Sequence, residues 1–462
     1  MGRHKCNITR AESGISAKTL ASRKLTSMTR STGVWALVFV VVLLCKPSSF
    51  ANTAAAAAWS PLRLTLPPVV RLAVPRGEDA LRRDCEAHRA PSSETADLCL
   101  WERDATNGLE VAAALFRSIA RSVVPTAPAP EESYPTISTT TTTVWLPSAG
   151  EDVSTAVSDL CDVVNRNSAR LGNVTASARF WPKAPATGIA LTREETFPLR
   201  PAAPVPMESG VDVDGAVRAT KLWVDGTLGR MGLCPFTRSM SRAAVGLEGE
   251  SVSEGPVVVR HACGVIGPSR PRGSDGFVPV PDAALLASAF WEGVLGLANL
   301  KESEVSTLLI VAPPSYDDDF VEFVGTCDEL LEMASRAAGA DEVIGKAWFH
   351  PRYETSAVGH STVLPGHALP PDMVEGFVDR YFREGGVGVG GQRPCRSSIS
   401  QANDEVRHTP HATVNLLRRT QLRAAKAAEA KSPVKRPNAV YARNVLRIIS
   451  EWRKGSTNKF GR

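Results

Sequence analysis

Three short segments hold the side chains of this sequence best suited to chemistry: Leu233-Cys234-Pro235-Phe236, Phe349-His350-Pro351 with Tyr353, and Arg407-His408-Thr409-Pro410-His411 leading to Asn415-Leu416-Leu417-Arg418. Each sets a thiol, an imidazole or a cation beside proline and an apolar run. Gly232 can end a helix and Pro235 can open a new turn, which puts Cys234 at a helix start. The helix dipole there favours the thiolate, so Cys234 is the candidate nucleophile. A buried cysteine packed on Phe236 is the alternative reading. His350 follows an apolar stretch and Pro351 turns the chain away, which places the imidazole in a loop where binding groups gather. It is the candidate base for Cys234, and a hydrogen-bonded structural histidine is the competing reading. His408, His411, Arg407, Arg418 and Arg419 could receive an anion at a helix N-terminus or form a solvated basic face. Trp223, Phe236 and Tyr353 would line a ligand pocket with His408, His411 and Arg418.

The elements that would carry these segments follow from periodicity. Val217, Val224, Leu228 and Met231 recur on one face of a helix over 214–231, which leads into Cys234. Residues 256–261 read as a Val-rich strand, 281–300 as a helix, and 306–312 as an unalternating apolar strand central to a sheet. Phe320, Phe323, Val324, Cys327, Leu331 and Ala334 form a helical stripe. Asp317 to Asp319 stand at its start, where carboxylates suit the dipole and a metal site is the lesser reading. Residues 343–349 form a strand ending at His350, and 413–426 read as a closing helix. This alternation predicts an α/β fold, a small sheet with helices packed on it, over 211–427.

A tryptophan helix running into L-C-P-F, a strand ending in F-H-P-x-Y and a closing segment with L-L-R together resemble domain of unknown function 1415. That family occurs in bacteria, plants and algae and has no established activity. The resemblance covers Trp223 to Arg423 and is carried by Trp223, Cys234, Pro235, Phe236, Phe349, His350, Pro351, Tyr353, Pro410, Leu416, Leu417 and Arg418. His408 stands where the family has arginine, Ala412 replaces its second proline, and residues 359–401 are an insertion. Gly386, Gly388 and Gly391 within it satisfy G-x-G-x-x-G. The fingerprint needs a strand before and a helix after, whereas 374–384 reads helical and Pro394 follows, so it is a loop.

The rest of the 462 residues read as long low-order extensions around this domain. Val34 to Cys45 is an apolar run preceded by Arg30, so residues 1–51 form a targeting leader, either a signal peptide or a membrane anchor. A start at Met28 would give a signal peptide of ordinary length. The acid-poor stretch after it suits a bipartite plastid address. Residues 52–210 read as a weakly structured extension with two helices, at 104–122 and 153–164, and a Pro/Thr-rich linker over 126–143. The nine cysteines show no C-x-x-C or zinc spacing, so no metal site is indicated. No cofactor can be named. The net charge of +5 gives no specific nucleic-acid signal. In the basic tail, 428–462, Tyr441, Val445, Ile448, Ile449 and Trp452 form an apolar stripe with arginines opposite. It suits a membrane surface, a partner groove or docking on the domain itself. Three function classes follow: a thiol-dependent enzyme, a binding module for an anionic metabolite, and an interaction protein working through this tail.

Overall fold

The computed structural model describes residues 98–101, 105–122, 137–146, 153–181, 186–196, 212–231, 233, 240, 255–264, 280–355, 369–385, 392–423 and 439–454. The leader with Val34–Cys45, Cys234-Pro235-Phe236 and the glycine loop 386–391 lie outside them. The protein is a mixed α/β fold, as expected, but it holds two small sheets rather than one.

The first sheet is built from β1 (Leu98–Trp101), α1 (Gly108–Ser122), β2 (Ile137–Leu146), α2 (Ser154–Arg166), β3 (Val174–Trp181) and β4 (Ala186–Thr196). Its strands lie in the order β1-β2-β4-β3. Residues 137–143 of what composition marks as linker over 126–143 are therefore paired backbone. Threonine accounts for the difference: a run without periodicity looks like linker, yet its branched Cβ suits a pleated surface. The described residues between 98 and 196 are packed rather than weakly structured, for Val144, Leu146, Ile189 and Leu191 share one core with α4 and β8 of the second sheet.

α3 (Val213–Trp223) continues through a π turn at Val224–Gly229, with Asp212 capping it by accepting from Gly215 N. Then come β5 (Val257–His261), α4 (Asp282–Asn299) and β6 (Thr307–Val311). Phe320–Gly325, a π turn at Thr326–Glu332 and Met333–Ala337 run on as α5. β7 (Ile344–Phe349), α6 (Pro371–Arg383), α7 (Arg396–Glu405), β8 (Thr413–Arg418) and α8 (Ala439–Arg453) complete the chain. The second sheet has the order β5-β6-β8-β7. Residues 413–418 are thus a central strand and not the start of a helix. A run buried on both faces has no alternation, so periodicity alone does not separate it from a buried helical turn.

The two sheets repeat one another. Each follows the path strand, helix, strand, helix, strand, strand, with a parallel first pair and two antiparallel pairs, the second having α6 and α7 inserted between its last two strands. The registers agree as well: Ile189 of β4 pairs with Val144 and Ala178, and Val414 of β8 pairs with Ile310 and Trp348. Four residues on, buried Arg193 pairs with the first residue of β3, and buried Arg418 with the first residue of β7. The helices match as Ala112-Ala113-Ala114-Leu115-Phe116 against Ala287-Ser288-Ala289-Phe290-Trp291, all buried. Equivalent residues touch: Phe116 stacks on Trp291 with centroids 6.1 Å apart, and Arg117 Nε donates to Glu292 Oε1 at 2.7 Å. Contacts between like positions are the signature of a two-fold relation, here between two halves of one chain. Where Ser118 stands in α1, α4 has Gly293, and a Cβ there would come within 2.6 Å of Leu308. Close approach of α4 to the sheet requires the glycine.

The outer face of the second sheet is covered by α3, α6, α7 and α8. Val257, Val259, Leu309, Val311, Ala347 and Phe349 meet Trp223, Leu228, Val378, Ile399, Val445 and Ile448 in a second core. The apolar stripe of the basic tail is therefore occupied, with Val445, Ile448 and Ile449 buried. That removes the face a membrane or partner groove would need. Among the described residues no helix is long and apolar enough to cross a membrane.

Candidate functional site

β5, β6 and β7 run parallel, and all three end where antiparallel β8 begins. One edge of the second sheet therefore gathers His261 at the end of β5, the Pro313-to-Asp317 turn after β6, His350 after β7, and His408 to Ala412 before β8. The carboxyl ends of parallel strands are where α/β sheets place ligands, because paired backbone stops there and side chains face a crevice.

Asp317 is the centre of this edge. Its Oδ2 lies 2.7 Å from His411 Nδ1, and its Oδ1 accepts from Ala412 N at 2.6 Å. Of the three consecutive aspartates, only Asp319 caps α5, accepting from Glu322 N at 2.9 Å, while Asp318 pairs with Arg352. With its carboxylate accepting from Nδ1–H, Asp317 selects the His411 tautomer whose lone pair is on Nε2. The His411 side chain is about one-third exposed.

His261 was not singled out by the sequence reading, since a lone histidine closing a valine strand carries no spacing signal. It is 4% exposed, and its Nδ1 accepts from Cys263 N at 3.1 Å. The ring proton therefore sits on Nε2, a buried donor with no hydrogen-bond partner among the described residues. Burial first, and then the neighbouring His411 charge, lower the His261 pKa against the opposing pull of Asp317. His261 is accordingly a neutral N–H donor at physiological pH.

The predicted site residues divide differently. His350 is fully buried between Phe320 and Phe323, with Nδ1 accepting from Arg352 N at 2.9 Å and Nε2 donating to Tyr316 O at 2.6 Å. Both ring nitrogens are committed to backbone, which leaves no lone pair to take a thiol proton. Tyr353 packs on Phe320 and beneath the Arg407 guanidinium and is 2% exposed, so its ring is core. Trp223 lies edge-on to Phe349 at 5.4 Å and is likewise buried. Cys234 and Phe236 fall outside the described residues.

Arg418 sits at the far end of β8 from the histidines, since it pairs with Ile344 whereas Thr413 pairs with Phe349. Its guanidinium donates to the carbonyls of Leu297, Leu300, Lys301 and Val305 at 2.6–3.0 Å. It closes the C-terminus of α4, where unsatisfied carbonyls favour a cation. An anionic ligand would find no N–H of it pointing outward.

His408 bridges two acceptors, Glu405 Oε2 and Tyr353 O, each at 2.9 Å. Burial opposes its charge, but the Glu405 carboxylate outweighs that and raises the pKa. Beside it, burial pushes the Asp404 carboxyl up to about 6, against the hydrogen bonds from Thr355. A carboxyl whose folded pKa lies above its unfolded value of about 4 favours folding when protonated, so this contribution is lost as pH rises between about 4 and 6. The two-unit shift corresponds to about 3 kcal/mol as an order of magnitude. Asp404→Asn is expected to raise stability at about pH 7 and leave it unchanged at about pH 4. Urea unfolding at the two pH values checks this.

Hydroxyls and thiols near the edge are occupied or protonated. Ser315 Oγ donates to Asp282, and the Thr409 and Thr413 hydroxyls donate to His411 O. Burial and the Asp282 charge push the Cys263 thiol up to about 11. Among the described residues no group of three His, Cys, Asp or Glu side chains could hold a metal ion. Cys395 is the exposed exception elsewhere, its thiol lowered to about 7 by hydrogen bonds with Ser397 and Ser398. No protein-family model, curated protein or solved structure matches the chain.

Proposed function

We propose that the histidine edge of the second sheet binds a small molecule and serves it by proton transfer, with His411 as base and His261 as hydrogen-bond donor. One observation carries this reading: a buried imidazole N–H without a partner stands near an Asp317-held imidazole that is partly exposed. Buried polar groups in a purely structural role are paired, because an unpaired one costs about 1–3 kcal/mol. Trp291 Nε1 and Thr307 Oγ1 also lack a partner among the described residues, so what marks His261 is its place at the strand ends beside the Asp317–His411 pair.

The test is a stability measurement. His261→Phe removes the unpaired donor and, with it, the Nδ1 acceptor of the Cys263 N–H, two effects expected to offset while an apolar ring fills the volume. The ligand-free protein is expected to keep or gain thermal stability. A fall of more than about 5 °C, about 1 kcal/mol for a domain of ordinary size, would make His261 a packing residue and sink the reading.

We further propose that residues 223–423 belong with domain of unknown function 1415, supported by F-H-P-x-Y starting at the last residue of β7 and L-L-R lying on its partner strand β8. Delivery by residues 1–51 through the secretory route, with a plastid destination, is a proposal to be tested by a fluorescent fusion of that leader.

A further inference from the structure

The proton-transfer reading leaves the ligand open, and the groups at the edge narrow it. A covalent route needs a free nucleophile. Ser315, Thr409 and Thr413 have their hydroxyl hydrogens committed to Asp282 and the His411 carbonyl, and the Cys263 thiol holds its proton beside Asp282. Among the described residues of the edge, what is left is one donor and one base: His261 Nε2–H, fixed by the Cys263 N–H on Nδ1, and His411 Nε2, fixed by Asp317 on Nδ1.

A donor and a base near each other suit a ligand whose hydrogen-bond-accepting oxygen is adjacent to an acidic C–H. From this juxtaposition we infer that the edge takes a carbonyl compound bearing a hydrogen on the neighbouring carbon and interconverts it with its enol. This rests on the acid–base reading above. In the forward step His411 Nε2 forms a bond to the hydrogen as the C–H bond breaks. The released pair becomes the C=C bond, and the carbonyl π pair moves onto oxygen. The resulting oxyanion accepts from His261 Nε2–H, while Asp317 stabilises the His411 imidazolium. His411 then gives a proton back to oxygen or to carbon, after exchange of its own with solvent, so no oxidant or further reactant is needed. A neutral imidazole suits this donor role, because it stabilises the oxyanion without surrendering its proton. Its burial strengthens the interaction, since no water competes for the N–H. Asp317 is a positioning residue, acting through His411 and the Ala412 backbone.

The probes are hydroxyacetone and dihydroxyacetone in D2O, with loss of the α-proton signal followed by proton NMR for the full chain. Binding is read in parallel by saturation-transfer difference. The wild type is expected to speed exchange over buffer. His411→Gln should lower that enzymatic exchange about 100-fold, and His261→Phe by about 10- to 100-fold. Folding of each variant is verified by its thermal transition; should His411→Gln fail to fold, His261→Phe and the pH profile of the wild-type rate carry the test. That profile should rise with the deprotonation of one base. Probe binding without exchange, or exchange equal in wild type and folded variants, overturns the enolisation inference while leaving a binding site. Neither binding nor exchange overturns both readings.

Discussion

Arg418→Ala is expected to lower the unfolding free energy by about 3–5 kcal/mol. The guanidinium is 8% exposed and holds the carbonyls of Leu297, Leu300, Lys301 and Val305, the last turn of α4 and the chain leading into β6. Truncation would take this donor from the Leu297, Leu300 and Val305 carbonyls, while Lys301 O still accepts from Glu304 N and Val305 N, and an unmade buried hydrogen bond costs more than a made one contributes. Arg418→Lys should rescue little, because three donors on one ammonium cannot reproduce the planar fork that spans this set. Urea unfolding at about neutral pH measures the effect. A ligand-facing surface arginine would change stability by no more than about 0.5 kcal/mol, so a loss that small would return Arg418 to the candidate site.

Phe116→Ala is the second large effect, expected to cost about 3–5 kcal/mol. The ring is fully buried and stacks on Trp291, its counterpart in the other half, next to the Arg117–Glu292 pair. Loss of the ring opens a cavity where the two halves meet and removes one side of an aromatic pair. Because one core runs through both sheets, unfolding should stay a single transition that moves as a whole. Separate transitions detected by tryptophan fluorescence and far-UV circular dichroism, with only one displaced, would mean that the halves fold independently.

The second sheet was largely legible in the sequence because its long helices keep the helical period and three of its strands are short apolar runs bounded by breaks. Val257–His261, Asp282–Asn299, Thr307–Val311 and Ile344–Phe349 fall within the ranges read from periodicity, and His350 does stand at a strand end. β8 was misread since Thr413–Arg418 is buried on both faces and shows no alternation. The first sheet was hidden by composition, its β2 being a threonine run and its β4 lying between prolines. The repeat of the two halves survives only as a face pattern, Ile189-x-Leu191-x-Arg193 against Val414-x-Leu416-x-Arg418, which is visible once register is known.

The site was half legible. His411 carried a signal through its proline-rich setting, but its partner Asp317 was indistinguishable from two neighbouring aspartates. Which carboxylate caps α5 and which turns back to His411 depends on where β8 starts, a long-range fact. His261 carried no local signal at all. Arg418, by contrast, looked like a ligand group because a buried arginine and a binding arginine have the same sequence appearance.

The protonation of two imidazoles tests the account most directly. Long-range proton–nitrogen correlation spectra of the histidine rings, recorded at about neutral pH, read the tautomer of each ring. The account predicts His261 neutral with its proton on Nε2, and His411 with its mobile proton on Nδ1. A doubly protonated His261, or a neutral His411 carrying its proton on Nε2, would remove the donor and base pair and contradict it.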